Sequence, residues 1–520
     1  MLFEKTYLGI EFGSTRIKAV LIDDTYSPVA TGVYDWENRF ENGYWTYSID
    51  DIHKGMQGCY ASLKENIKQK FGVTLTTVGA IGISGMMHGY LPFDKEDNLL
   101  AEFRTWRNTT TGEAAEYLTE LFNFNIPQRW SIAHLYQAIL NKEEHTKNVA
   151  KITTLAGYIH YRLTGEHCLG VGEASGMFPI SNGTYDGVMF KKFDKRVKEL
   201  GYSWDIKNLL RKVLSAGQIG GYLTEEGALF IDPEGDLKAG IPLCAPEGDA
   251  GTGMVATNSV EVKTGNISAG TSIFSMLVLE ENLKGIYPEI DVVTTPDGSP
   301  VAMVHGNNCC SEIDAFVNMF GEFAEITGNK LTKSELYESL YKHALNGDND
   351  CGGVTAYNYL SGEFITGVEN GRPMYYRMPD SNMNLANFIK AQLYSTMATL
   401  KIGMDILFEK EKVSAEQFKA HRGLFKVKGV AQQILANALN TAISVTETSG
   451  EGGAWGIALL AAFMMNKNGL SLSDWLNKYV FCKMEICVVQ PEKSGVEGFV
   501  KYTERYIAGL NAAKALSDVK

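Results

Sequence analysis

At 520 residues the chain exceeds what one hydrophobic core usually holds, so two large lobes are expected. Its 45% hydrophobic and 21% charged residues, with 53 glycines and 13 prolines, are those of a globular chain and exclude a disordered or fibrous one. A formal charge of −13 argues against nucleic acid as the main partner, while a small anion can still be held locally by backbone amides. The eight cysteines (59, 168, 244, 309, 310, 351, 482 and 487) form no C-x-x-C pair and no zinc-site spacing, which reads as free thiols in a reducing compartment. The opening Met1-Leu-Phe-Glu-Lys-Thr has an acid where a signal peptide needs an apolar run, so a cytoplasmic protein is expected. The longest apolar stretch, Ala454 to Met465, is shorter than the roughly 20 residues of a membrane span and reads as a buried helix.

In chain order, Tyr7 to Phe12 is apolar and β-prone, Gly13-Ser14-Thr15 is turn chemistry, and Lys18 to Asp23 is apolar again. Val29 to Asp35 adds a third strand to an antiparallel meander. Ile49 to Phe71 reads as a helix, Val78 to Ile83 as a buried strand ending in Ser84-Gly85, and Gly112 to Phe122 as a second helix. The stretch Tyr202 to Lys238 is acidic and glycine-spaced, and a new cycle of strands begins at Ile241. Val262 to Ala269, the turn Gly270-Thr271-Ser272 and Ile273 to Leu279 repeat the plan of the opening strands, which suggests an internal duplication. Helices are expected at Ser311 to Phe320, at Leu385 to Leu407 and near Ala454. The fold class is mixed α/β, with domains expected at 1–255 and 256–520.

Three segments carry chemistry. A glycine turn lets several N–H donors converge on a phosphate without a Cβ in the way, and Ser14 and Thr15 add hydroxyls. It is not a Walker A loop, because no G-K-[ST] occurs in the chain, and a strand rather than a helix follows it. Glu247-Gly-Asp249 places a carboxylate in a glycine-rich turn before an apolar segment, where an Asp serves either as a helix cap or as a general base. Ile83-Ser-Gly-Met-Met-His-Gly89 ends a strand with a glycine-flanked His, and open α/β sheets bind ligands beyond strand ends.

In this order the segments resemble the FGGY family of carbohydrate kinases, within the superfamily of actin and the heat-shock ATPases. Gly9-Ile-Glu-Phe-Gly-Ser-Thr-Arg-Ile-Lys18 is similar to the family's first phosphate motif, and Gly82 to Gly89 to the substrate segment of xylulose kinases. Tyr161-Arg-Leu-Thr-Gly-Glu166, Glu173-Ala-Ser-Gly176, Glu247-Gly-Asp249, Gly270-Thr-Ser272, Tyr359-Leu-Ser-Gly-Glu363 and Glu451 to Leu460 resemble its R-L-T-G-E, D-A-S-G, G-G-D, second phosphate, Y-L-S-G-E-R and late helix segments.

The resemblance implies two ribonuclease-H-like domains with an interdomain cleft, closing on ATP and a ketose. It implies Asp249 as general base, and Met87, His88 and Trp106 as sugar contacts. Glu11, with Asp249, would hold Mg²⁺. Gly13, Ser14, Thr15, Lys18, Gly270, Thr271, Ser272, Gly429 and Gly453 would contact phosphate or nucleotide. The expected reaction takes a ketopentose, L-ribulose or D-xylulose, to its 5-phosphate. Glycerol, L-fuculose or L-rhamnulose kinases, or a non-transferring ATPase or sugar sensor, are the alternatives. The expected partners are the sugar and ATP, with a homodimer as the assembly. Three positions depart from the family: Glu11 stands where Asp is usual, His421 to Gln433 replaces a run of three glycines, and Trp106-Arg-Asn-Thr-Thr110 lacks the acid of W-N-D-x-R.

Overall fold

The computed structural model describes residues 3–446 and 452–519, and the chain divides into two compact units. One comprises Met1–Val260, Asp291–Val301 and Thr448–Lys483; the other comprises Glu261–Ile290, Ala302–Glu447 and Met484–Lys520. The units are therefore interleaved in sequence rather than separated by one cut near residue 256.

The first unit is built on strands β1 (Tyr7–Phe12), β2 (Arg16–Ile22), β3 (Pro28–Asp35), β4 (Ala80–Gly85), β5 (Ile219–Tyr222), β6 (Pro242–Cys244) and β7 (Glu247–Gly248). Their order is β5-β6-β4-β1-β2-β3, with β7 paired to β4. The β1-β2-β3 meander is antiparallel, and β4 runs parallel to β1, β6 and β7. Alternation along β1 sorts its side chains between two faces. Leu8, Ile10 and Phe12 are fully buried in a core with Ile52, Met56, Cys59, Leu63 and Ile67 of the helix Ile49–Phe71. That helix starts where Ser48 accepts the Asp51 N–H and stops at Gly72, whose φ of 70° is the left-handed conformation glycine adopts most readily.

The other face of β1 meets the helix Gly452–Asn466. Tyr7 Oη accepts from Asn466 Nδ2 (2.6 Å), and Glu11 Oε2 accepts the Ala454 N–H (3.1 Å) at the opposite end of the helix. Between them, Gly9 and its β4 neighbour Gly82 let the helix backbone lie directly on the sheet. A Cβ on Gly9 would fall 2.0 Å from the Ala454 carbonyl oxygen, and one on Gly82 2.6 Å from that of Ile457. The late apolar helix, expected with the second domain, thus packs as the second layer of the first unit.

The second unit repeats the plan with β8 (Thr264–Ala269), β9 (Ile273–Val278), β10 (Pro300–Gly306), β11 (Gln417–His421), β12 (Ala442–Thr446) and β13 (Ile486–Val489), in the order β10-β9-β8-β11-β12-β13. Again a hairpin (β8-β9) is antiparallel and the next two pairings, β8-β11 and β11-β12, are parallel. This matches β3-β2-β1-β4-β6, so the duplication suggested by the two glycine turns extends to sheet topology. The long helix Leu385–Asp405 is almost wholly buried in this unit's core. Helices at Gly112–Phe122 and Ser311–Ile326 stand where expected. Among the described residues no helix is long and apolar enough to cross a membrane.

The Gly9 contact is testable. Gly9→Ala is expected to lower stability by about 1–3 kcal/mol through overpacking, read as a shift in the denaturant midpoint. Gly187→Ala, where nothing lies within 4 Å of the added Cβ, should stay within about 0.5 kcal/mol of the parent.

Candidate active site

Strands β1, β4 and β7 are mutually parallel and in register, with Glu11 opposite Ser84 and Ser84 opposite Glu247. Their ends therefore emerge at one edge of the sheet, where α/β folds place ligands. The Met86 N–H donates to the Phe12 carbonyl (2.9 Å), and one residue later the Met87 N–H donates to Asp249 Oδ1 (3.0 Å). Asp249 is the first residue of the helix Asp249–Ala256, whose N-cap is Gly248. The carboxylate is exposed and turned to the end of β4. The N-cap position thus falls to Gly248, and Asp249 stands one residue inside the helix.

The turn after β1 is held from behind. Trp36 Nε1 donates to the Gly13 carbonyl (2.8 Å), Tyr47 Oη to that of Ser14 (2.5 Å), and the Trp36 amide to that of Thr15 (3.2 Å). Trp36 and Tyr47 stack with ring centroids 4.1 Å apart. Gly13 N–H closes the turn on the Arg16 carbonyl, while the Ser14 and Thr15 amides have no acceptor among the described residues. Unpaired amides on a turn with occupied carbonyls suit an anion. Trp106, 40% exposed, donates its indole N–H to Ser14 Oγ (3.2 Å), joining this segment to the turn. Lys18 lies opposite Glu11 across the hairpin. Gly453 stands against Glu11, whose Oε1 would be 2.3 Å from an added Cβ.

His88 is 5% exposed and has a φ of +72°, which is uncommon for a residue with a side chain. Its Nδ1 is 3.2 Å from the Gly176 carbonyl, which can only accept, so the Nδ1 carries the proton and Nε2 is the acceptor. Burial, aided by the Arg129 cation, lowers its pKa to about 3 against the opposing pull of the Gly176 carbonyl. The ring is neutral at physiological pH. A Cβ on Gly176 would fall 2.6 Å from His88 Nδ1 and 2.7 Å from Met87 Cε, which explains the last residue of the Glu173-Ala-Ser-Gly176 segment.

Two buried carboxyl groups lie beneath Asp249, and neither was among the residues singled out from sequence. Glu247 accepts the Glu173 N–H (2.8 Å) and the Gly172 N–H (3.4 Å). Burial nevertheless pushes it up to about 8. Glu173 is fully buried with its Oε2 against Gly248, 2.4 Å from where a Cβ would be. Neither of its oxygens meets hydrogen-bond geometry with a partner among the described residues, although the Thr154 hydroxyl is near enough to favour the ionised form somewhat. Burial outweighs that hydroxyl and, with the charges of Glu247 and Asp249, holds Glu173 well above the carboxylate range. Exposed Asp249 thus stands over two carboxyl groups whose burial favours the neutral form. Arg129, also not foreseen, pairs with Asp291 close to His88. Asn108, where the family has an acid, accepts the Trp45 N–H (2.8 Å) and donates to the Trp45 and Thr105 carbonyls. Its amide serves the fold.

In the second unit, the Gly270 N–H closes its turn on the Ser272 carbonyl, and the Cys309 and Cys310 amides donate to the Thr271 and Gly270 carbonyls (2.9 Å each). Behind them, Asn308 Oδ1 accepts from Leu360 and Ser361, and Glu363 Oε2 accepts from the Asn307 and Asn308 amides. The Tyr359-Leu-Ser-Gly-Glu363 motif therefore braces the second turn. Gly429, φ 82°, is the N-cap of the helix Val430–Leu439.

Two ribonuclease-H-like units, each with a glycine turn after its first strand, define the kinase fold of the actin and heat-shock ATPase superfamily. Residues 6–256 match the model for the N-terminal domain of the FGGY family of carbohydrate kinases, and residues 265–465 that for the C-terminal domain. The chain belongs to that family, and it is a carbohydrate kinase. It is 23% identical over 525 residues to a xylulose kinase of Haemophilus influenzae, covering 97% of this chain and 99% of the relative. In fold it is similar to a xylulose kinase of Lactobacillus acidophilus (TM-score 0.76, 16% identity, 99% of both chains). It is equally similar to a glycerol kinase of Plasmodium falciparum (TM-score 0.75, 16% identity, 99% of this chain and 98% of that one). Identities this low bear on fold and not on substrate.

The buried carboxyl groups set a pH dependence. A group that keeps its proton longer when folded stabilises the fold at low pH, and that contribution is lost as pH rises to its folded pKa. Glu247 (about 8) and Glu363 (about 7) are such groups, and Glu173 moves in the same direction. Histidines with lowered values, such as His88, act oppositely but only below their ordinary 6.5. Stability should therefore fall between pH 6.5 and 8, by up to about 1.4 kcal/mol per pH unit for Glu247, with the Glu363 contribution spent near pH 7. Thermal midpoints across that range check this, and Glu247→Gln should flatten the slope.

Proposed function

We propose that the protein phosphorylates a ketopentose, D-xylulose or L-ribulose, at its terminal hydroxyl to give the 5-phosphate, with ATP as donor and Asp249 as general base. The observation that carries this reading is the exposed Asp249 carboxylate, anchored to the Met87 amide beside a neutral His88. Asp249 takes the proton of the sugar hydroxyl as that oxygen bonds to the terminal phosphorus and the bond to ADP breaks. The Ser14 and Thr15 amides and hydroxyls, with Lys18, hold phosphate oxygens; Thr271, Ser272 and Gly270 supply the equivalent donors of the second turn. Such positioning and charge compensation make up most of what a phosphoryl-transfer enzyme contributes.

His88 Nε2 accepts a hydrogen bond from a sugar hydroxyl, and Met87 and Trp106 offer apolar surface to the carbon skeleton. With the Asn108 amide committed to the Trp45 backbone, the polar contacts expected from an acid at that position fall to His88 and Arg129. Gly429 and Gly453 contribute at helix starts, on the nucleotide side.

A magnesium ion bound together with substrate phosphates keeps several waters and needs only one or two carboxylates from the protein. Glu11 and Asp249 would hold it, through water, and it would supply charge neutralisation on the phosphate oxygens.

The ketopentose assignment is supported by the Met87-His88-Gly89 segment and by the full-length similarity to a xylulose kinase. Asp249→Asn is expected to reduce turnover by roughly 10²- to 10⁴-fold while ATP affinity by calorimetry stays near the parent value. Retention of most activity would remove Asp249 from the mechanism. A coupled ADP assay over ketopentoses, ketohexoses and glycerol should give its highest kcat/KM with a ketopentose; a preference for glycerol would overturn the substrate assignment.

A further inference from the structure

Cys309 and Cys310 are adjacent in sequence, and their sulfurs lie 3.5 Å apart. Both are free thiols; Cys309 is 1% exposed and Cys310 is half-buried. The hydrogen bond with Cys310, together with burial, holds the Cys309 thiol well above its ordinary value. Cys310 is therefore the sulfur that a reagent from solvent meets, and Cys309 is a second thiol held in reserve behind it.

The backbone of this pair is committed to the second glycine turn. The Cys310 N–H donates to the Gly270 carbonyl and the Cys309 N–H to that of Thr271. The Cys309 carbonyl accepts from Asn358 Nδ2 (2.8 Å). The one peptide group that joins the two cysteines thus has both its N–H and its C=O engaged, and the N–H is bonded to the turn itself.

We propose that Cys309 and Cys310 form a dithiol that a low-molecular-mass disulfide converts to a vicinal disulfide, and that this closure releases the Gly270-Thr271-Ser272 turn and weakens nucleotide binding. The second half rests on the reading of that turn as a phosphate contact. The Cys310 thiolate attacks one sulfur of the incoming disulfide and expels a thiolate, leaving a mixed disulfide. Cys309 then gives up its proton, attacks Cys310 Sγ and expels the second thiolate. Two protein thiols lose two electrons and two protons, and the reagent is reduced to two thiols.

Adjacent α-carbons stand about 3.8 Å apart across a trans peptide, below the roughly 4.4–6.8 Å that disulfides usually span. The eight-membered ring must close at that short span, and drawing the sulfurs from 3.5 Å to the roughly 2.05 Å of an S–S bond twists the joining peptide out of its present geometry. Its bonds to Gly270 and Asn358 go with it, and the turn loses one of its two backbone anchors.

The test uses full-length protein titrated with oxidised glutathione, read by intact mass, peptide mapping and ATP calorimetry. The expected result is a loss of about 2 Da confined to the peptide carrying residues 309 and 310. ATP affinity should fall about tenfold, the scale of one lost hydrogen bond to a charged group, and return with dithiothreitol. Cys310→Ser should lose both responses, and Cys309→Ala serves if that variant does not fold. A stable glutathione adduct, or no change at this peptide, overturns the chemistry. A loss of about 2 Da with unchanged ATP affinity overturns the link to the turn. Reduced protein that binds no ATP refutes the functional reading instead, and the mass result alone then decides the thiol chemistry.

Discussion

The parallel pairing of β4 with β1 on one side and β7 on the other is the constraint on which the first unit's site depends. Parallel strands end at the same sheet edge, so segments about 70 and 160 residues apart in sequence arrive side by side in register. The Phe12 carbonyl receives the Met86 amide, the Met87 amide is then left pointing past the sheet, and Asp249 accepts it. A slip of one residue in either pairing would turn every side chain to the opposite face and move Glu11, Ser84 and Glu247 off their common row.

Close approach is the second theme, and it accounts for glycines that no turn requires. Gly170, Gly172 and Gly248 surround Glu247 and Glu173, with carboxylate atoms 2.0–2.5 Å from where a Cβ would sit. Gly176 does the same for His88 and Met87. These carboxyl groups meet backbone amides or a single hydroxyl, not cations, so burial decides their ionisation. The result is a region in which an exposed carboxylate is backed by largely neutral acids and a neutral imidazole.

The two units share topology yet brace their turns with different chemistry. In the first, an aromatic pair donates to the turn's carbonyls; in the second, backbone amides of Cys309 and Cys310 do so, supported by Asn308 and Glu363. Duplication of a fold does not carry its side-chain solutions along. That difference makes the second turn the one whose support contains two thiols.

Much of this was legible in the sequence, because it is locally encoded. Apolar periodicity and turn chemistry set the first strand, the helices Ile49–Phe71 and Gly112–Phe122 and both glycine turns, and the order of motifs marked the family. Glu173 and Glu247 were present in those motifs but carried no signal of burial, since a carboxylate's environment is made by residues distant in the chain. The placement of the helix Gly452–Asn466 was equally hidden: an all-apolar helix shows no preferred face, and it was Gly9 and Gly82, over 370 residues away, that gave its backbone a seat. That Gly248 rather than Asp249 takes the N-cap position, with the Met87 amide 3.0 Å from the Asp249 carboxylate, was likewise left to tertiary structure.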